Sequence, residues 1–150
     1  GVEVRAKNLD VASSSNLKDA LEALFGELAG DGYVSVQAYL DRTALPQAAE
    51  LRDAIAAATG RPTTFGWAPR FLHSTGQYHK GGPKQGVFLQ ITNQATSDIA
   101  VPGRDFTFGE LIASQAAGDA SVLAALDRPV LTLTLSDAVA GLQAIKNAIG

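Results

Sequence analysis

The sequence predicts an α/β domain in which a mostly parallel sheet of about four strands is covered by helices on both faces, a three-layer α/β/α sandwich. Two observations favour this fold class. Helical and strand-like segments alternate along the chain, in the order helix, strand, helix, strand, loop, strand, helix, strand, helix. No internal repeat or interdomain linker interrupts the 150 residues. The chain is therefore expected to form one domain.

The first helix is predicted from an apolar stripe at helical period between Leu17 and Leu28, with Gly30 as its stop. Residues 33–40 then alternate between apolar and polar side chains, which predicts a strand. The N-cap of the first helix is expected to be Ser14, Ser15 or Asn16.

The middle of the chain predicts a second helix and two further strands. Pro46 suits the first turn of this helix, and Gly60 suits its end. Residues 62–67 are the next strand candidate. After an irregular stretch, Gly86 precedes an apolar run through Ile91 that is short enough for a buried strand.

The last third predicts two helices around one strand. Thr107 and Glu110 have the spacing of a capping box, and Gly118-Asp119 is expected to break the helix that follows. Residues 129–135 form a Leu/Val/Thr strand. Ser136 or Asp137 is expected to cap the final helix.

Composition excludes several classes of protein. Apolar residues make up 46% and charged residues 18% of the chain, which is typical of soluble globular domains. Without cysteine there is neither a disulfide framework nor a Cys-based zinc site, so a reduced cytoplasm is the expected location. No apolar run approaches the roughly 20 residues of a membrane helix, and the net charge of −3 argues against a nucleic-acid partner. Because Met is absent even at position 1, we expect an excised piece of a longer protein.

Charge is distributed unevenly along the chain. Between Asp53 and Asp98 there is no acidic residue, so this interval carries +4 and the remainder carries −7. A local positive field in an acidic protein predicts an anion site, and the alternative is a loop of solvated charges. The interval holds four cations and both histidines of the chain: Arg61, Arg70, Lys80, Lys84, His73 and His79.

The candidate site lies in residues 68–86, directly after the strand predicted at 62–67. Ligands of parallel sheets bind outside the carboxyl ends of the strands. Four glycines allow close backbone approach, and Ser74 or Thr75 could cap a short helix whose positive N-terminus favours an anion. The segment lacks the Walker, dinucleotide-binding and G-x-S-x-G patterns. His73 and His79 have no carboxylate near them in sequence, so neither a metal nor another cofactor is predicted.

One string makes a family resemblance specific. Residues 70–83, Arg-Phe-Leu-His-Ser-Thr-Gly-Gln-Tyr-His-Lys-Gly-Gly-Pro, and residues 86–92, Gly-Val-Phe-Leu-Gln-Ile-Thr, resemble the carboxy-terminal part of bacterial fusions of transaldolase with glucose-6-phosphate isomerase. The similarity covers about residues 20–136. It implies that residues 1–150 are a single carboxy-terminal sugar isomerase (SIS) domain with flavodoxin-like architecture. The missing amino-terminal isomerase and transaldolase domains would be its partners in the same chain, and a homodimer is possible.

The resemblance also implies a reaction, the interconversion of glucose 6-phosphate and fructose 6-phosphate by ring opening and an enediol. It makes His79 the first and His73 the second candidate for the ring-opening histidine. The carboxylate that shuttles the proton should come from the missing isomerase domain, because no Glu occurs between Glu50 and Glu110. The chain alone is therefore expected to be inactive. The implied substrate-binding residues are Arg70, Ser74, Thr75, Gly76, Gln77 and Lys80.

Two alternatives remain open from the sequence. The domain could be a non-catalytic module that binds sugar phosphates, or it could have the purely structural role of completing a dimer.

Overall fold

The computed structural model describes residues 1–12, 16–94 and 96–150 of the chain. Over these ranges it has five strands, five α-helices and one 3₁₀ helix. The strands are β1 (Val2–Lys7), β2 (Tyr33–Tyr39), β3 (Thr63–Trp67), β4 (Gly86–Asn93) and β5 (Val130–Leu135). The helices are α1 (Leu17–Gly26), α2 (Leu51–Thr59), α3 (Thr75–Gly81), α4 (Phe108–Ala125) and α5 (Ala138–Ile149), and the 3₁₀ helix (Pro46–Glu50) leads into α2.

The strands form one sheet in the order β1-β5-β4-β2-β3. Strands β2, β3, β4 and β5 run parallel to one another, whereas β1 pairs antiparallel with β5. Helices α1, α2 and α5 pack on one face, and α3 and α4 lie on the other. The predicted three-layer α/β/α sandwich is thus confirmed.

The two faces of the sheet are packed very differently. On the face that carries α1, α2 and α5, a large core joins helix side chains such as Leu21, Ile55 and Ile145 to the apolar side chains of the central strands. On the opposite face, the buried apolar cluster is small and consists of Phe88, Ala120, Leu123 and Val130, with Tyr33 packed against it. Most of the hydrophobic stabilisation therefore comes from the first face.

Strand β1 is absent from the sequence-based prediction, so the expected count of about four strands was too low. Residues 2–7 do alternate between apolar and charged side chains, and their exposure alternates in the same way because successive side chains point to opposite faces of the sheet and only Val2, Val4 and Ala6 pack against the core. The alternation was therefore a strand signal that the prediction missed.

The expected break at Gly118-Asp119 was also wrong, because α4 continues through both residues. Gly118 is exposed, and a helix tolerates a single glycine at modest cost. Asp119 faces inward, where its carboxylate pairs with Lys80, and this contact favours an uninterrupted helix.

The predicted helix ends have mixed outcomes. Asn16 is the N-cap of α1 and accepts from the Asp19 amide, while Ser14 and Ser15 lie outside the described residues. Helix α1 ends at Gly26, earlier than the predicted stop at Gly30, with Glu27 as its C-cap. The left-handed C-cap Gly60, the capping box of Thr107 with Glu110 and the Asp137 N-cap are all confirmed.

The strand order sets where a ligand crevice is expected. Among the parallel strands the order is β3-β2-β4-β5, so the chain moves outward in one direction after β2 and in the other after β3. The switch point of a doubly wound sheet is the gap where this reversal occurs, here between the carboxyl ends of β2 and β4. The segment after β3 lies to one side of that gap.

Within the described ranges, every helix is too short or too polar to cross a membrane.

We expect Gly118→Ala to raise the free energy of unfolding by about 0.5–1 kcal/mol, because alanine restricts the unfolded chain and suits a helix interior. A β-carbon at this position would meet no atom within 4 Å. The matched control is Gly141→Ala in α5, where the new β-carbon would lie 2.7 Å from Leu135 Cδ2 and should lower stability. Urea unfolding measures both. No gain from Gly118→Ala would contradict a continuous α4.

Candidate functional site

The segment after β3 is a compact turn built around Phe71. The Phe71 side chain is buried, and its carbonyl accepts from the amides of Ser74 and Gly76, both at 2.9 Å. Its ring lies so close to Gly66 that a β-carbon there would fall 2.6 Å from Phe71 Cδ1. The glycine in β3 therefore makes room for the aromatic side chain that fixes the turn.

The outer half of this turn presents polar side chains to solvent. Arg70, His73, Ser74, Thr75 and Gln77 are all exposed. The Ser74 hydroxyl and the Gln77 amide each donate to backbone carbonyls within the turn, at 3.2 and 3.1 Å. The side chains of the other three residues form neither a hydrogen bond nor an ion pair with any described residue. They are free to bind a ligand.

His79, the first candidate for ring opening, is buried and only 6% exposed. The rings of Tyr33, Phe71 and Phe88 surround its imidazole at centroid distances of 6.1, 6.1 and 5.4 Å. Its Nε2 lies 3.5 Å from the Ser35 hydroxyl, and its Nδ1 has no hydrogen-bond partner among the described residues. This geometry is that of a core histidine.

The electrostatics of His79 agree with its burial. Desolvation lowers its pKa below the ordinary histidine value, and the positive charges of Lys80 and Arg128 act in the same direction. Asp119 opposes this shift but does not overcome it. The imidazole is therefore held neutral inside the domain.

Lys80 and Gly76 are also engaged within the protein. Lys80 Nζ lies 2.5 Å from Oδ1 of Asp119, a carboxylate whose side chain is 2% exposed. The Gly76 amide is used by the Phe71 carbonyl, and a β-carbon on Gly76 would lie 2.9 Å from the same oxygen. The assignment of either residue to substrate stays a prediction, and in this structure each has an internal structural contact instead.

Arg128 holds the far end of α3. Its guanidinium is buried and donates to the carbonyls of Lys80, Gly82 and Pro83 at 3.0, 2.8 and 3.0 Å. The Lys80 carbonyl belongs to the last turn of α3, where helix carbonyls lack partners within the helix, and the carbonyls of Gly82 and Pro83 come just after it. The sequence-based prediction gave Arg128 no role, since nothing local reveals that an arginine preceding β5 reaches a loop 45 residues away.

A large cavity is a second feature of the domain, and the sequence-based prediction did not include it. A cavity of about 1120 Å³ lies between α4 and the sheet, over the carboxyl halves of β4 and β5 and the neighbouring edge strand β1. It extends to the gap between β2 and β4, where Tyr39 and Asn93 line it. The turn contributes Ala68 to its wall, but residues 70–80 do not line it. The cavity and the exposed turn are therefore separate.

The signal for this cavity is present in the sequence. Gln90 and Thr92 alternate with apolar residues in β4, and Thr132 and Thr134 do so in β5. Such alternation places polar side chains on one face of an otherwise buried strand. Both segments were predicted as strands. Their polar faces were the sequence signal for the cavity, because polar side chains on a buried strand need a polar contact or a solvent-filled space.

The described residues contain no group of three or more His, Asp or Glu side chains that could hold a metal ion.

Comparison with known proteins supports the fold. No protein-family model matches the sequence, and no curated protein matches it significantly. Among solved structures, the chain is similar to a hypothetical protein from Thermus thermophilus, with a TM-score of 0.66 and 16% sequence identity. The match covers 88% of this chain and 37% of that one, so the chain spans well under half the length of its structural neighbour. At this identity the likeness concerns the fold alone.

We expect stability to fall on acidification because of His79. Its pKa is lower in the folded than in the unfolded protein, so the unfolded chain takes up the proton first. The stabilisation is complete above the ordinary histidine pKa of about 6.5 and decreases as pH falls from there to the lower folded value. Urea unfolding between pH 8 and pH 5 should show a smaller decrease for His79→Gln than for the wild type. His73→Gln, at an exposed position, should keep the wild-type decrease, and equal profiles for all three proteins would exclude this role of His79.

The ion pair of Lys80 with Asp119 should show the asymmetry of a buried pair. Lys80→Met leaves the Asp119 carboxylate unpaired and should cost on the order of 3 kcal/mol in chemical unfolding. The double variant with Asp119→Leu should recover much of that loss, because no buried charge remains. Lys18→Met removes an exposed pair with Glu22 and serves as the control with little expected change. If Lys80→Met resembles this control, the pair does not stabilise the domain.

Proposed function

We propose that this chain is the carboxy-terminal SIS domain of a glucose-6-phosphate isomerase joined to a transaldolase, and that it acts in the cytoplasm on sugar phosphates. The residue string that motivates this proposal is residues 70–83, and the observation that carries it is the structure of the turn inside that string. Arg70, His73 and Thr75 project into solvent from a backbone fixed by Phe71. Rigid scaffolds that present polar side chains on a loop are typical of binding and catalytic sites.

Within this proposal, His73 is the ring-opening group. An exposed imidazole can give a proton to the ring oxygen of a sugar and take it back, which is the task of a general acid and base. His79 is an unsuitable donor because it is enclosed by aromatic side chains and held neutral. The order of the two candidates is thereby reversed relative to the sequence-based expectation.

Arg70 is the proposed partner of the phosphate group. A guanidinium binds phosphate through paired hydrogen bonds, and the side chain of Arg70 is not occupied by any described carboxylate. The Thr75 hydroxyl would donate to a sugar oxygen, and the Ser74 hydroxyl, which already donates to the Phe71 carbonyl, would accept from a sugar hydroxyl. The carboxylate that moves the carbon-bound proton would come from the other isomerase domain, because no acidic residue lies in the turn.

The decisive experiment compares the two histidines in the complete fusion enzyme. We expect His73→Gln to lower kcat by about 10²–10⁴-fold with a smaller change in KM, because it removes an acid/base group. His79→Gln should weaken thermal stability and leave kcat of the folded enzyme within a few-fold of wild type. A coupled isomerase assay with circular dichroism separates loss of chemistry from loss of fold.

Other outcomes of this assay lead to different conclusions. Full turnover in His73→Gln with lost turnover in His79→Gln would assign the chemistry to His79. Full turnover in both variants, with glucose 6-phosphate still bound, would make the domain a non-catalytic binding module. Arg70→Gln is the matched binding variant and should raise KM for glucose 6-phosphate with little effect on folding.

A further inference from the structure

We propose that the cavity between α4 and the sheet is a second binding site, for a neutral polyhydroxylated ligand such as an oligosaccharide without phosphate. This inference goes beyond the proposed isomerase function and does not depend on it, because residues 70–80 do not line the cavity. Its volume of about 1120 Å³ lies slightly above the usual range for ligand sites. A ligand larger than a single sugar ring can therefore be accommodated.

The floor of the cavity is an ordered set of polar side chains. Strand register aligns residues of β2, β4, β5 and β1 in two rows that cross the sheet. The first row is Gln37, Gln90, Thr132 and Arg5, and the second row is Tyr39, Thr92, Thr134 and Glu3. All of these residues except Gln37 line the cavity. On the other face of the same strands, residues such as Val36, Leu89 and Leu133 belong to the main core.

Hydrogen bonds within the rows fix the floor. The Thr132 hydroxyl donates to Gln90 Oε1 at 3.1 Å, and Gln90 Nε2 donates to the Ala116 carbonyl of α4 at 3.2 Å. The Thr92 hydroxyl lies 2.9 Å from that of Thr134. Each hydroxyl keeps acceptor capacity beyond these bonds, so the floor can bind further donors without losing its own order.

Tyr39 adds an unmet hydrogen-bonding group at the β2 end. Its hydroxyl is buried and has no partner among the described residues. Burial raises the pKa of Tyr39 above its ordinary value, and the Asp119 carboxylate reinforces this shift, so the phenol stays a donor. A buried hydroxyl without a partner is costly, and a ligand hydroxyl that reached it would recover that cost.

The charge of the cavity disfavours a phosphate. Its lining contains four acidic residues, Glu3, Asp41, Asp98 and Glu110, and only two basic ones. Both basic side chains are already engaged, since Arg5 pairs with Glu3 at 2.8 Å and Lys7 donates to Ser121 at 3.1 Å. An anion would meet net repulsion, whereas a neutral polyol would not.

The roof and the entrance complete the site. Helix α4 lines the roof with small side chains, among them Ala113, Ala116 and Ala117, which can pack against the C–H faces of a sugar ring. Charged residues of β1 line the opposite rim and are exposed, so the cavity opens beside this edge strand. A ligand can therefore enter without unfolding of the sheet.

The proposal is tested by titrating the 150-residue protein with maltotriose and following backbone amide shifts by NMR. We expect saturable shifts in β4, β5 and α4, with a dissociation constant that is nearly insensitive to salt because the ligand is neutral. Inorganic phosphate in a parallel titration should leave these amides unshifted. Shifts confined to residues 70–77, or no saturable shift at all, would overturn the cavity as a polyol site.

Variants locate the binding. Thr132→Val and Thr134→Val should each weaken maltotriose binding about 3–10-fold, as expected for one lost hydrogen bond, and Thr64→Val on β3 is the matched control outside the cavity. Ala113→Trp should block binding, because Ala113 lines the cavity and is exposed enough for the helix to accept the larger side chain. Its control is Ser114→Trp, one residue along the same helix and outside the lining. Equal affinity in the Ala113 and Ser114 variants would place the ligand elsewhere. Turnover of the fusion enzyme in the His73 assay is a separate readout, so either proposal can fail alone.

Discussion

The two-residue alternation of side chains across the central strands is the constraint on which the rest of this structure depends. In β2, β4 and β5, one set of positions is apolar and faces α1, α2 and α5, where it builds the large core. The other set carries Gln37, Gln90, Thr132 and their neighbours, and it faces α3 and α4. The same periodicity that stabilises the domain therefore also supplies its polar surfaces.

Helices α3 and α4 are consequently held to the sheet by a few specific contacts instead of a broad apolar interface. Phe88, Ala120 and Leu123 form a small cluster, and Gln90 bonds to the α4 backbone. The ion pair of Lys80 with Asp119 joins α3 to α4. Such contacts fix the position of the helices while leaving space over the carboxyl halves of the strands. Both the cavity and the exposed turn result from the small number of contacts between these helices and the sheet.

The sequence predicted the layers and most elements because each depends on local signals. Gly60, the Thr107–Glu110 capping box and Asp137 act within one turn of their helices, so their residue types were sufficient. The roles of Gly118-Asp119 and β1 depended on tertiary contacts: Asp119 is drawn inward by a lysine on another helix, and β1 is a strand because β5 pairs with it. The local pattern does not contain the contact of Asp119 with Lys80, whereas the alternation of residues 2–7 was a local signal for a strand that the prediction missed.

The candidate site was only partly predicted, because the positions of its side chains also depend on tertiary contacts. The density of functional groups in residues 70–80 was visible in the sequence, but their sorting was not. A seven-residue helix turns His79 toward Phe88 and leaves His73 in solvent, and this depends on the anchoring of Phe71 against Gly66. Spacing alone cannot distinguish the two histidines.

Arg128 donates three hydrogen bonds to backbone carbonyls at the end of the segment between β3 and β4. They divide this segment into two parts that differ in how freely their sequence can change during evolution. The backbone of residues 80–83 is tied to Arg128, just before β5, so an insertion or deletion there would break this anchor. Arg70, His73 and Thr75 lie beyond this anchor and contribute little to the core. New ligand preferences can therefore be acquired at the outer turn by exchanging side chains, while the architecture that presents them stays intact.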